Sequence, residues 1–119
     1  MVLSRWKWFA GMVGVLICSA TLRAAPLPGE PADWHGFARH HFKLEDRACF
    51  ITAPKLAAPG RPWVWRARFP DFHPEVDLIL LERGYHIAYI NTDGMLGCDD
   101  AMDIWDHFYD AITKDVGLS

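Results

Sequence analysis

Serine, the commonest hydrolytic nucleophile, occurs in this chain only at Ser4, Ser19 and Ser119. Cys98 is the thiol best placed for chemistry: it follows Gly-Met-Leu-Gly and precedes a helix start, where aligned peptide dipoles lower a thiol pKa. His86 and His107 are the bases it could use. Asp99, Asp100, Asp103 and Asp106 crowd it with negative charge and oppose a thiolate. His73 with Asp77, and Asp103 with His107, stand four residues apart and would share a helix face. Zinc asks for three or four converging ligands, and neither pair gains a third from local sequence. His-Glu-x-x-His is absent, and His40 and His41 would point to opposite sides of an extended segment. The stretch NTDGMLGC (91–98) is not Gly-x-Gly-x-x-Gly, and the loop after Trp63–Phe69 has no glycine to cradle a phosphate. The residues therefore point to no metal and no cofactor.

Chemistry of any other kind depends on what the elements bring together. Residues 25–40 are rich in proline at their start and read as an extended leader. Phe42–Leu44 and Ala48–Thr52 are short β-like runs, with Glu45-Asp46 as the turn between them. Ala53–Pro62 is a Pro/Gly loop. Trp63–Phe69 alternates as a strand does, and Pro70 forbids its continuation. Pro74 suits a first helical turn, Glu75 and Asp77 suit the positive end of a helix, and Gly84 closes a helix over Val76–Arg83. Tyr85–Ile90 is a continuous apolar run, as expected of a strand covered on both faces. Ala101, Ile104, Trp105, Phe108, Tyr109 and Ile112 recur at helical spacing behind Asp99 or Asp100, with Gly117 as the stop. The order from Trp63 is strand, helix, strand, helix. That order predicts an α/β class with parallel strands, preceded by antiparallel edge strands.

Of the 119 residues, 51% are hydrophobic and 23% charged, the balance of a globular protein. The N-terminus has the layout of a secretory signal peptide: Arg5 and Lys7, an uncharged stretch from Trp8 to Leu22, then small residues with Ala20 or Ala24 as cleavage points. An uncleaved anchor is the alternative, although a spanning helix needs about 20 apolar residues. All 15 acidic residues lie beyond Ala24, against 9 of the 12 basic ones, a net charge near −6. Nucleic acid is excluded as a partner on that balance, and no membrane contact is expected after cleavage. The expected location is periplasmic or secreted. Export would allow Cys49 and Cys98 to form a disulfide; two buried free thiols is the other expectation. Residues 25–119 suffice for one small core.

The segments PGRPWVWRARFPDFHPEVDLILLERGYHIAYINTDGMLGC and AMDIWDHFYDAITKDVGLS carry a resemblance. From residue 41 to 119 the chain resembles the N-terminal half of an exported bacterial alpha/beta-hydrolase domain of the prolyl-oligopeptidase/esterase type. The resemblance implies a partial alpha/beta-hydrolase sheet and a small ester or peptide substrate. It also implies a backbone N–H near Arg68 and Phe69 as oxyanion-hole donor, although these residues could equally just turn the chain. The family's nucleophile sits in a Gly-x-Ser-x-Gly elbow, and this sequence has none. Nucleophile, acid and base are all missing, so the chain is expected to be a fragment without activity of its own. Its last strand would leave an open sheet edge prone to oligomers or aggregates. The rival expectation is a non-catalytic exported α/β module that binds carbohydrate or a protein partner.

Overall fold

The computed structural model describes residues 25–119; the segment read as a signal peptide lies outside the described residues. Five strands form one sheet: β1 (Glu30–Trp34), β2 (Phe37–Leu44), β3 (Arg47–Ala53), β4 (Trp63–Trp65) and β5 (His86–Ile90). Two helices, α1 (Glu75–Glu82) and α2 (Asp99–Asp110), complete it, and a π-helical turn, Ala111–Asp115, extends α2. The strand order is β1-β2-β3-β5-β4.

β1, β2 and β3 are a meander of antiparallel pairs. The β2–β3 turn is Glu45-Asp46, both at positive φ (49° and 62°). Two left-handed residues in a row match the twist of the strands they join. β1 occupies the segment expected to be a leader. It is an exposed edge strand, and such a strand tolerates Pro31 because one row of N–H groups has no ladder to make. β5 pairs antiparallel with β3 and parallel with β4, Trp63 opposite His86 and Trp65 opposite Ala88.

These pairings correct the expected class. Only one of the four is parallel, and among the described residues the α-helices are just two, of 8 and 12 residues. The described residues form a small, sheet-rich fold with a mixed and mostly antiparallel sheet, in place of an α/β partial alpha/beta-hydrolase sheet. The physical reason is that a single strand–helix–strand unit makes one parallel pair, while the two hairpins before it and the docking of β5 against β3 make three antiparallel ones. β4 is also shorter than the alternation of Trp63–Phe69 suggested: the Arg66 N–H still donates to the Ala88 carbonyl of β5, and beyond it the chain turns into the loop that the Arg66 side chain holds.

Each face of the sheet is covered. On one, Ile51, Ala88 and Ile90 meet Phe108 and Ile112 of the α2 region, with Trp63, Trp65 and Trp105 packed around them. On the other, Phe50, Ile87 and Tyr89 meet Leu81 of α1. β5 is accordingly buried at all five residues. Between α1 and β5, Gly84 has φ +89°, and a Cβ there would stand 2.5 Å from the backbone nitrogen of Ala58. Only glycine serves this close crossing.

Candidate functional site

Ligands of open sheets with parallel strands gather where those strands end in loops, at their carboxyl ends. Here the loops are residues 66–73 after β4 and 91–98 after β5, bridged by Arg68 and Asp93 with 3.8 Å between Nη2 and Oδ1. The first loop is contorted: Phe69, Asp71 and His73 have φ of 52°, 71° and 51°. Left-handed geometry costs an L-residue about 1–2 kcal/mol, so other contacts must hold the loop in place.

Two arginines do so. Arg66 Nη2 donates to the carbonyls of Phe69, at 3.3 Å, and of Phe72, while Nη1 lies 3.4 Å from Asp77 Oδ1. Arg39, buried on β2, sits against the rings of Trp34 and Phe50, its guanidinium carbon 4.0 and 3.9 Å from their centroids. Its Nε donates to Thr52 Oγ1 at 2.9 Å, and its Nη1 to Asp71 Oδ1 at 2.7 Å. The Trp34 indole N–H donates to the same Asp71 oxygen at 2.8 Å. Partial burial would raise the Asp71 pKa, but the hydrogen bond and charge of Arg39, with the Trp34 bond, hold it below the usual carboxylate value. Burial pushes Asp77 the other way, upward, against the charges of Arg66 and Arg39. The sequence placed Asp77 at the positive end of a helix; the structure also buries it, beside Arg66.

Arg68 and Phe69, the oxyanion-hole candidates, sit on this pinned loop, and the Phe69 side chain is 64% exposed. Neither backbone N–H has an acceptor among the described residues. Beside the loop after β5 lies a cleft of about 420 Å³ lined by Lys43, Asp46, Arg47, Ala48, Asn91 and Asp93.

The other candidates do not assemble. His86 opens β5, whereas Cys98 follows the loop beyond that strand's far end, so His86 is no base for it. His107 instead holds Glu45, with 2.8 Å between Nδ1 and Oε1. His73 pairs with Glu75 at 3.7 Å, away from Asp77. Among the described residues no three His, Cys, Asp or Glu side chains converge as a metal would need. Cys49 and Cys98 are both free thiols, Cys49 buried and Cys98 exposed. Burial pushes Cys49 up to about 11. Brief iodoacetamide treatment of the native chain is therefore expected to alkylate Cys98 and spare Cys49 until denaturant is added, as peptide mass spectrometry would show.

His86 makes a second prediction. Its Nδ1 lies 3.2 Å from the Pro62 carbonyl, which can only accept, so the ring proton sits there. Burial lowers its pKa, the Pro62 contact raises it less, and Arg61 adds to the lowering. The folded state then binds a proton less readily than the unfolded chain, whose histidine titrates near about 6.5. Stability is full above that pH and is lost progressively as pH falls from it toward the lower folded value. His86→Gln should flatten this segment of a urea midpoint-versus-pH curve; an unchanged slope would refute the assignment.

Sequence reasoning missed Arg39, Trp34 and Thr52. The signal was an arginine in step with Phe37 on a strand whose start was placed five residues too late, at Phe42. No family model, no curated protein and no solved structure matches the chain.

Proposed function

We propose that this chain is the front portion of an exported serine hydrolase acting on ester or amide bonds, and that it is inactive alone. Acyl transfer needs a nucleophile, a base and fixed donors for the developing oxyanion. The chain supplies the third: a loop held by Arg39 and Arg66, with free N–H groups at Arg68 and Phe69, at the carboxyl end of a parallel strand. That pinned loop is the observation that carries the proposal, together with the resemblance of residues 41–119. Donors fixed before the reaction need no reorganisation during it, and this explains why a non-catalytic loop would be held by buried charge. Two measurements test it. The coding sequence after Ser119 should continue into a β-like run and a Gly-x-Ser-x-Gly elbow; a stop codon with no such sequence beyond it would overturn the reading. Fluorophosphonate probes should not label the chain as it stands, and labelling would overturn its inactivity.

A second reading, a non-catalytic exported binding module, has one observation in its favour. Trp63, Trp65 and Tyr109 line a groove of about 320 Å³, and aromatic faces are apt for stacking on sugar rings. Saturable quenching of tryptophan fluorescence by a disaccharide, abolished in Tyr109→Ala, would support this reading over the first.

A further inference from the structure

The β2–β3 hairpin and the loop after β5 enclose a cleft whose walls are tied together while its charges are left free. Asn91 N–H donates to the Ala48 carbonyl at 2.9 Å, and Arg47 Nη1 donates to the Asn91 carbonyl at 3.1 Å. Asn91 Oδ1 accepts the Asp93 N–H at 2.8 Å, an Asx turn that sets where Asp93 stands. In the hairpin, Glu45 and Asp46 both have left-handed backbone, and Glu45 is tied to His107 of α2 with 2.8 Å between Oε1 and Nδ1. These contacts hold both walls, and none of them uses the side-chain charge of Lys43, Asp46 or Asp93. The cleft measures about 420 Å³, within the range of small-molecule sites, about 300–1,000 Å³.

Its lining carries two cations, Lys43 and Arg47, and two carboxylates, Asp46 and Asp93. Among the described residues Arg39, Arg66, Arg68 and Lys114 each pair with an acidic side chain. Lys43 and Arg47 are among the basic residues that do not, although residues 25–119 hold 15 acidic side chains against 9 basic ones. Asp46 makes no ion pair among the described residues either, and Asp93 reaches Arg68 only at 3.8 Å. Opposite charges that line one cleft without closing on each other leave that closing to a ligand. The lining sums to zero, so a dianion would meet two carboxylates and a dication two cations. A zwitterion offers each sign its complement. Ala48 is the only apolar residue of the lining, which suits a ligand that is hydrophilic throughout.

We propose that this cleft binds a free α-amino acid, its carboxylate toward Lys43 and Arg47 and its ammonium toward Asp46 and Asp93. The site needs neither a nucleophile nor the aromatic groove, and so lies outside both readings above. Arg47 gives Nη1 to Asn91 and keeps Nη2 for the ligand, whose planar carboxylate matches the guanidinium fork. Because these charges are exposed, each contact contributes little, and half-saturation is expected at millimolar concentration. Selectivity comes from requiring both signs at once.

The test is an amide chemical-shift titration of the chain with four probes. These are glycine, L-glutamine, N-acetyl-L-glutamine, which lacks the ammonium, and L-glutaminamide, which lacks the carboxylate. Glycine and L-glutamine should shift the N–H signals of Asp46, Ala48, Asn91 and Asp93 saturably. The two single-charge analogues should bind at least about fivefold more weakly. Lys43→Met and Asp46→Asn, both at exposed positions, should each weaken L-glutamine about two- to fivefold and leave the β5 signals as in wild type. No saturable shift with either amino acid would overturn the proposal. Equal binding of N-acetyl-L-glutamine would overturn it by making this a plain anion site, and equal binding of L-glutaminamide by making it a cation site. Unchanged affinity in both variants would place L-glutamine elsewhere and overturn it too. No arm involves hydrolysis or sugar binding, so failure here is distinct from failure of either reading above.

Discussion

Arg39→Met is expected to destabilise the fold by about 2–3 kcal/mol and to free residues 69–73, although Met nearly matches the lost volume. The loss has three parts. Thr52 is fully buried and its hydroxyl would lose the Nε donor. The rings of Trp34 and Phe50 would lose the cation against them. Asp71 would keep only the Trp34 indole. Its carboxylate is 58% exposed, so the ion pair itself contributes little and the buried contacts dominate. Urea unfolding measures the first effect. Backbone relaxation of Phe69, Asp71 and Phe72 measures the second, and it should show new fast motion while β3 and β5 stay rigid. A midpoint unchanged from wild type, or a loop that stays ordered, would mean that Arg39 is not what holds the strained backbone.

Phe108→Ala should have the larger effect, a loss of roughly 3–5 kcal/mol. Phe108 has no exposed surface and touches both β4 tryptophans, with ring centroids 6.5 Å from Trp63 and 5.4 Å from Trp65. It is the peg that joins α2 to the parallel pair. A domain of this size holds only about 5–15 kcal/mol in total, so the variant should be mostly unfolded at 37 °C. Circular dichroism melting decides it. Retention of the wild-type transition would show that α2 does not pack as described.

The contrast between α2 and β1 explains how much of the fold was legible. α2 was readable because Ala101, Ile104, Trp105, Phe108 and Ile112 repeat at helical spacing with aspartates between them. β5 was readable because a run of apolar, β-forming residues has few other uses. β1 could not be read: Glu-Pro-Ala-Asp-Trp is exposed, carries a proline and shows no alternation. It is a strand only because β2 offers it a ladder. The class was misjudged for the same reason. The antiparallel strands expected only as an edge ahead of Trp63 are instead three in a meander and supply most of the sheet. At the candidate site, the Arg66–Phe69 corner was marked by Pro70, but its fastening was not. Arg39 and Asp71 are 32 residues apart and meet only once β2 and the loop lie side by side.

The proposed function depends on β4 running parallel to β5, because that direction sets the Arg68 and Phe69 loop beside the loop after β5 at the carboxyl end of the pair. Through-hydrogen-bond scalar couplings measure this directly. The account predicts couplings from His86 N–H to the Pro62 carbonyl carbon and from Arg66 N–H to the Ala88 carbonyl carbon. Couplings in an antiparallel register, or none between residues 62–66 and 86–88, would contradict it.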